Sequence, residues 1–259
     1  MSGGPSPAKA FRLAVLASGN GSNLQAIIDR LHRPEVMMIE ITDELADEIF
    51  ARGTSALPRM GAAPASAVAR QDEGHEEAGG EAPRIEVVLV VSDVPEAYAL
   101  TRARLAGIRA EVLSPRDFAS REEHDLALTA LLCEAEPDLV VLAGYMRLVA
   151  PTVLQAFPNR IINLHPALLP SFPGTAAIAD ALRYGVKVTG VTVHFVDEGV
   201  DTGPIIAQEA VRVEEDDTEE TLAARIHAVE HRLLPHTIRL IAAGRVKPPL
   251  PGSRVVRVD

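Results

Sequence analysis

The sequence has little cysteine, few aromatic residues and no basic cluster. Its 259 residues include one cysteine, no tryptophan and 3% aromatic side chains, and 25 basic against 36 acidic residues give a net charge of −11. One cysteine cannot form an internal disulfide, so we expect a reducing, cytoplasmic setting. Nucleic acid and anionic membranes are not expected as partners, because both need clustered Lys and Arg. The N-terminal residues lack the apolar core of a signal peptide, and no apolar run is long enough to predict a membrane-spanning helix.

Short apolar runs alternate with stretches of helical spacing along most of the chain. Several of the predicted strands are continuously apolar, as parallel strands covered on both faces are; they span 12–18, 86–93, 110–114, 138–144, 160–166 and 190–197. Helices are predicted over 22–31, 96–107 and 120–136, with Cys133 of the last one in the core. This alternation predicts a single α/β domain whose doubly wound, mostly parallel sheet is flanked by helices.

Three segments fall outside this alternation. Residues 1–10 are predicted to be a flexible leader and residues 251–259 a C-terminal tail, so that the main domain spans 11–250. Within it, the stretch from about 40 to 84 is predicted to be a low-complexity insertion, since half of its later part is Ala, Gly or Pro. Such a segment buries too little apolar surface to offset the entropy lost on ordering it.

The last predicted helix follows an acidic run at 214–220. Acidic residues suit the first turn of a helix, and Asp217 and Glu220 have the spacing of a capping box. Pro235 is expected to kink this helix and Gly244 to end it.

The first predicted strand leads into a polar, glycine-rich loop at residues 18–23. A strand, such a loop and a helix place backbone N–H groups at a helix N-terminus, where an anion is favoured. The loop lacks the third glycine of a dinucleotide fingerprint, since Leu24 stands in its place, and it lacks the Gly-Lys-Ser/Thr ending of an ATP-type loop. It therefore predicts either a phosphate site, with Ser22 and Asn23 as additional donors, or a purely structural turn.

Two other polar clusters follow predicted strands. Asn163 and His165 lie two positions apart near a strand end, so their side chains point to the same side. The second cluster, residues 196–206, contains Asp201 among glycines. A carboxylate beside His165 would raise its pKa, and the charged ring with the Asn163 amide would form a donor pair for an oxyanion. His194, in the preceding strand, is expected to be structural.

Five motifs, in this order, resemble the phosphoribosylglycinamide formyltransferase family. They are GNGSNLQAII (19–28), LAGYMRLV (142–149), NLHPALLPSFPG (163–174), GVTVHFVDEGVDTGPIIAQ (190–208) and EHRLLP (230–235). The resemblance covers residues 11 to about 250 outside the 40–84 stretch. It implies a folate-dependent enzyme of purine synthesis with a single α/β domain.

Three sets of residues match the motifs of that family. The catalytic set is Asn163, His165 and Asp201. The set that binds the ribonucleotide is Gly21, Ser22, Asn23 and Glu230. The set that lines the folate site is Arg121, Met146, Arg147, Leu148, Val149 and Asn163. No metal is implied.

The resemblance implies transfer of a formyl group from 10-formyltetrahydrofolate, as co-substrate, to the amine of 5'-phosphoribosylglycinamide. Asn163 and protonated His165 would stabilise the tetrahedral oxyanion, and Asp201 would keep the imidazole charged. The implied partners are these small molecules, and a homodimer is left open. Ala176 and Ala179 stand where many family members have a histidine and an arginine, so either an altered rate or altered nucleotide contacts are expected.

Other interpretations share part of this pattern. A methionyl-tRNA formyltransferase would need basic patches for tRNA, which the acidic sequence does not offer. A formyltetrahydrofolate deformylase would use water as acceptor and would not need a phosphate loop. A catalytically weakened nucleotide-binding homologue would result if the changes at Ala176 and Ala179 silenced the site.

Overall fold

The computed structural model describes residues 9–32, 83–250 and 252–259. Most of the predicted leader and of the predicted 40–84 insertion therefore lies outside the described residues. The helices are α1 (Ser22–Leu31), α2 (Tyr98–Leu105), α3 (Arg121–Ala135), α4 (Pro151–Ala156), α5 (Ala177–Tyr184) and α6 (Glu219–Ala242). The strands are β1 (Phe11–Leu16), β2 (Ile85–Ser92), β3 (Ala110–Val112), β4 (Leu139–Leu142), β5 (Ile161–His165), β6 (Val188–Phe195), β7 (Ile205–Arg212), β8 (Val246–Lys247) and β9 (Arg257–Val258).

Seven of the strands form one sheet in the order β3-β2-β1-β4-β5-β6-β7. Strands β1 to β5 are mutually parallel, while β6 is antiparallel to both of its neighbours, which confirms a mostly parallel sheet. The order reverses between β1 and β4, where an open α/β sheet forms a crevice at its carboxyl edge. The loops after these two strands meet there, since the Ser18 N–H donates to the Gly144 carbonyl at 3.0 Å.

The sheet is covered on both faces, as its apolar strands predict. In β1, Leu13 and Val15 belong to the core cluster that includes α1 and α6, whereas Ala14 and Leu16 belong to the cluster under α3 and α4. All four side chains are fully buried. Truncating Leu13 or Leu16 to Ala is expected to cost about 2–5 kcal/mol of stability, because both lost contacts and a cavity result.

Two local predictions are wrong. Cys133 is exposed, because the buried face of α3 runs through residues such as Leu128 and Leu132 and leaves Cys133 outside it. The start of α6 is capped by Thr218 together with Thr221. Asp217 pairs instead with Arg225, so the capping box lies one residue later than the acidic spacing suggested.

Helix α6 runs without interruption through Pro235 to Ala242, and Gly244, with φ of 69°, follows its end. The predicted strands do not include β7, because polar residues such as Gln208 and Glu209 interrupt its apolar positions. Residues 252–259, predicted as a tail, include β9, which pairs antiparallel with β8. Among the helices of the described ranges, none has the length and apolar character that a membrane span requires.

The described residues on either side of the sequence gap 33–82 are neighbours in the fold. His32 directly follows α1, and its Nδ1 accepts a hydrogen bond from the Val87 N–H at 3.1 Å. His32 also forms a bridge with Ile85, the first residue of β2. The end of α1 and the start of β2 are thus adjacent.

Candidate active site

The three predicted catalytic residues come together at the end of β5. Asn163 and His165 lie on β5, where Asn163 is opposite His194 of the antiparallel strand β6. Asp201 lies in the connection from β6 to β7, with a left-handed φ of 51°. This connection folds back over β5, so that Asp201 contacts both residues.

His165 is 3% exposed, and both of its ring nitrogens face oxygen atoms. Nδ1 lies 3.3 Å from Asp201 Oδ2, and Nε2 lies 2.8 Å from the Phe172 carbonyl oxygen. Burial lowers the pKa of His165, and the charge of Asp201 and the carbonyl of Phe172 only partly offset this. The predicted rise of this pKa is wrong in net direction, because burying the ring outweighs the carboxylate beside it.

Asp201 is held by hydrogen bonds to both carboxylate oxygens. Oδ2 accepts from the Gly174 N–H at 2.7 Å, and Oδ1 accepts from the Asn163 amide at 3.2 Å. Burial alone would raise the pKa of Asp201. The rings of His194 and His165 and the Gly174 N–H outweigh burial, so the net pKa is lowered. The carboxylate is therefore ionised at neutral pH, next to a buried imidazole.

His194 orients Asn163, a role that the sequence analysis missed. Its Nδ1 lies 2.8 Å from the Phe195 carbonyl oxygen, which assigns the proton to Nδ1 and leaves Nε2 as an acceptor. The Asn163 amide nitrogen lies 3.2 Å from that Nε2. The two amide hydrogens of Asn163 thus point at His194 and Asp201. The signal for this contact is the β5–β6 register, which cannot be obtained from spacing along the chain.

A cavity of about 410 Å³ lies against these residues. Its walls include the catalytic set, the loop from Val196 to Asp201 and the segment from Met146 to Val149. Met146 and Leu148 are 65% and 54% exposed, so the mouth of the cavity is apolar. Arg121 does not line the cavity; its Nη2 lies 3.5 Å from the Leu148 carbonyl oxygen, behind the lining segment. All predicted folate residues except Arg121 therefore line one cavity.

The glycine-rich loop lies at the other end of the crevice. Gly21 precedes α1 with φ of 74°, and a Cβ there would lie 2.8 Å from the Ala99 Cα, so only glycine fits. Ser22 is the first residue of α1, and Gly21 before it offers no side chain to cap the helix. The Ser18 hydroxyl donates to Asp93 at 2.6 Å and accepts from the Met146 N–H at 2.9 Å, which ties this loop to the cavity-lining segment.

Asn23 and Glu230 meet beside this loop, as the ribonucleotide set requires. The Asn23 amide donates to Glu230 Oε2 at 2.9 Å, and the Glu230 side chain is buried on α6. His227, one turn earlier, lies 2.8 Å from the same oxygen through Nδ1. Within the described part of the chain, Asn23 Oδ1 and His231 Nε2 are buried without a hydrogen-bond partner. Buried orphan atoms of this kind are expected where a polar ligand completes the hydrogen bonding.

His227 carries the opposite pKa shift to His165. The hydrogen bond to Glu230 raises the pKa of His227, and burial offsets it only in part. Sequence analysis did not single out His227, although its place one helical turn before Glu230 is the signal that could have found it. No cluster of three or more metal-binding side chains occurs among the residues that the structure describes.

Comparisons with known proteins identify the family. The formyl transferase family model matches residues 64–238. Phosphoribosylglycinamide formyltransferase of Bacillus subtilis is 38% identical over 228 residues, which span 88% of this chain and 93% of the relative. The chain belongs to the formyl transferase family, among the phosphoribosylglycinamide formyltransferases. This confirms the resemblance carried by the five motifs.

A solved structure and a longer relative are also similar to this chain. The crystal structure of glycinamide ribonucleotide transformylase 1 from Symbiobacterium toebii is 43% identical, with a TM-score of 0.73, and the match covers 96% of this chain and 94% of that one. A trifunctional purine biosynthetic protein of Drosophila melanogaster is 40% identical over 233 residues. The match spans only 14% of that longer protein.

The two alanines that depart from the family pattern lie beside the cavity wall. Ala176 is exposed at the start of α5, directly after Thr175, which lines the cavity. Ala179 lies within α5 and is partly exposed. Alanine has no polar side-chain atom to offer the catalytic set. His165 and Asp201 are held instead by contacts such as those with the Phe172 carbonyl and the Gly174 N–H.

Proposed function

We propose that this protein transfers the formyl group of 10-formyltetrahydrofolate to the amine of 5'-phosphoribosylglycinamide, giving formylglycinamide ribonucleotide in purine biosynthesis. The observation that carries the proposal is the convergence of Asn163, His165 and Asp201 on one cavity. That cavity opens next to a glycine-rich loop at a helix N-terminus, which suits a phosphate. Two binding ends with a catalytic group between them fit a reaction of two substrates.

The two ends have the chemistry that the two substrates need. The cavity is lined mostly by apolar groups, with Met146 and Leu148 at its mouth, and suits the planar ring of a folate. The other end offers backbone N–H groups at residues 21–23 and the carboxylate of Glu230, which suit a phosphate and ribose hydroxyls. The Ser18 hydroxyl of the loop accepts from the N–H of Met146, which lines the cavity, at 2.9 Å, so the two ends adjoin each other.

The reaction needs no protein nucleophile. The amine nitrogen attacks the formyl carbon, a C–N bond forms, and the carbonyl oxygen becomes an oxyanion. The bond from the formyl carbon to the folate nitrogen then breaks, and the proton lost by the attacking amine passes to that nitrogen. Holding both substrates in place supplies a large share of the acceleration, on the order of 7–11 kcal/mol in favourable cases.

His165 is suited to stabilise charge that develops only during the reaction. Burial disfavours the imidazolium, whereas Asp201 and the Phe172 carbonyl, as hydrogen-bond acceptors on both nitrogens, favour it. The proton that the attacking amine loses would charge the ring before it passes to the folate nitrogen. The oxyanion that develops at the same time adds a further negative charge, so the charged ring is stabilised most in the transition state. Asn163 would assist by turning one amide hydrogen from Asp201 to the oxyanion.

The proposal is tested by following folate product formation by absorbance with both substrates present. His165→Ala is expected to lower kcat by about 10²- to 10⁴-fold, the usual range for a lost acid–base residue. His236→Ala, an exposed histidine of α6, is the matched control and should keep parental turnover. No turnover by the parent protein, or parental turnover by His165→Ala, would refute the proposal. Formate release without the ribonucleotide would instead identify a deformylase.

A further inference from the structure

The connection that carries Asp201, residues 196–204, is tightly packed against β6. The Asp197 carboxylate accepts from the Gly199 N–H at 3.1 Å and from the Thr202 hydroxyl at 2.6 Å. A Cβ at Gly203 would lie 1.6 Å from the Phe195 carbonyl oxygen. The chain is therefore so close to β6 at this position that only glycine fits. Asp201 itself has a left-handed φ of 51°, which is unfavourable for a residue that has a Cβ. Contacts around Asp201 must therefore hold it in this conformation.

The C-terminal segment supplies such a contact from a distant part of the chain. Nη2 of Arg254 donates to the Thr202 carbonyl oxygen and lies 3.4 Å from the Gly203 carbonyl oxygen. These are the two residues that follow Asp201. A guanidinium carries several N–H groups in a fixed plane, so one side chain can hold two neighbouring carbonyls.

The segment that carries Arg254 is itself anchored at its far end. Strand β9 pairs with β8, with Val258 opposite Val246. The Asp259 N–H also donates to the Arg245 carbonyl at 3.0 Å. Val256 packs against the main core cluster. Arg254 thus reaches the connection from a fixed base rather than from a free end.

We propose that Arg254 is a positioning residue for Asp201: from the C-terminal segment it holds the carbonyls of Thr202 and Gly203 and so fixes Asp201 against His165 and Gly174. The inference rests on the proposed role of Asp201 in formyl transfer. Arg254 itself does not line the cavity, so it acts on the reaction only through the connection that it holds.

Arg254→Ala separates this role from a general contribution to stability. Asp201 would lose its alignment with His165, and small misplacements of a catalytic group can cost up to about 10²-fold in rate. We expect kcat to fall by about 10-fold or more, while KM for the ribonucleotide stays near parental, because Asn23 and Glu230 are not touched. Arg254→Lys keeps one donor group and should recover part of the loss. Millimolar guanidinium ion should raise the kcat of Arg254→Ala but not that of the parent.

Arg257→Ala is the matched control, since it removes the same side chain three residues later in the same segment, where β9 pairs through its backbone. It should keep parental kcat. Hydrogen exchange of the amides from 197 to 203 gives a readout that needs no turnover: it should accelerate in Arg254→Ala and not in Arg257→Ala. If the parent protein were inactive but exchange accelerated in Arg254→Ala, the proposed function would be refuted. The inference that Arg254 holds the connection would remain. Parental kcat and parental exchange in Arg254→Ala would overturn it.

Discussion

Two histidine–carboxylate pairs lie in the same crevice and behave in opposite ways. His165 with Asp201, 3.3 Å apart, lies at the transfer end, and His227 with Glu230, 2.8 Å apart, lies at the loop end. The His165 side chain is 4% exposed and the His227 side chain 49% exposed. The pKa of His165 is lowered by burial, whereas that of His227 is raised by its hydrogen bond to Glu230. Each imidazole has a carboxylate beside it that raises its pKa, so the extent of burial decides the direction of the net shift.

The two pairs are accordingly suited to different tasks. A histidine that resists protonation until negative charge appears beside it stabilises a transition state more than a ground state. A histidine that is readily protonated at a half-exposed site contributes a standing positive charge next to a loop that suits a phosphate. Substitutions that neutralise one carboxylate at a time should therefore separate kcat from KM.

Asp201→Asn is expected to have the largest effect. The Phe172 carbonyl keeps the proton on His165 Nε2, and the introduced amide would donate to Nδ1, so the ring would be locked in its neutral form. A comparable change in a Ser-His-Asp triad costs about 10⁴-fold. We expect kcat to fall about 10³-fold or more with little change in KM for the ribonucleotide, measured by folate product absorbance.

A structural control accompanies that measurement. Asp180→Asn removes a partly exposed carboxylate that pairs with Arg183 on α5 and should leave kcat unchanged. If Asp201→Asn retained more than about a tenth of parental kcat, charge stabilisation by this pair would not be the main source of catalysis.

Glu230→Gln should produce the converse result at the loop end. The change removes a buried charged acceptor of Asn23 and His227, and hydrogen bonds to charged groups contribute about 1.5–3 kcal/mol. We expect KM for the ribonucleotide to rise about 10-fold or more, with KM for the folate and kcat close to parental. Steady-state kinetics with each substrate varied in turn makes the measurement. A fall in kcat with unchanged KM would show that Glu230 acts in the transfer step. The loop end would then not be a binding end separate from the catalytic one.

The opposite pKa directions can be read without turnover. In a titration of ¹⁵N-labelled imidazoles by NMR, His165 should titrate below and His227 above the ordinary histidine pKa. A lowered folded pKa means that His165 costs stability as the pH falls below the ordinary value. A raised folded pKa means that the contribution of His227 is complete below the ordinary value and is lost as the pH rises through the folded one. Glu230→Gln should bring the pKa of His227 back toward the ordinary value and lower that of His165 only slightly, because Glu230 is the smallest of the influences on His165. A large shift of both would show that the pairs are coupled.

Local patterns along the chain predicted the elements that place the catalytic groups. Apolar runs gave β1, β4 and β5, and spacing put Asn163 and His165 on one side of β5, as observed. The pairing of Asn23 with Glu230 came from the family motifs alone, since 207 positions separate these residues. No pattern within either segment could have indicated it.

What the sequence did not indicate depends on contacts between distant segments. The Phe172 carbonyl at His165, the amide of Asn163 at His194 and the guanidinium of Arg254 at Thr202 all involve partners whose approach is set by tertiary packing. The predicted direction of the His165 pKa shift was wrong for the same reason. A motif shows that a carboxylate is available, but it does not show that the ring is buried. Strand pairing between β5 and β6 supplies the missing information.

The smallest effect is expected where neither pair is touched. Deleting residues 55–82, most of the predicted insertion, should leave both kcat and KM within about 2-fold of parental, because His32 and Ile85 already lie side by side and the connection only needs to span them. Halving the length of a loop changes its closure free energy by only about 0.6 kcal/mol. Kinetics and thermal unfolding of the shortened chain test this. The family match begins at residue 64, so a collapse of folding would show that residues 64–82 belong to the domain that carries both pairs.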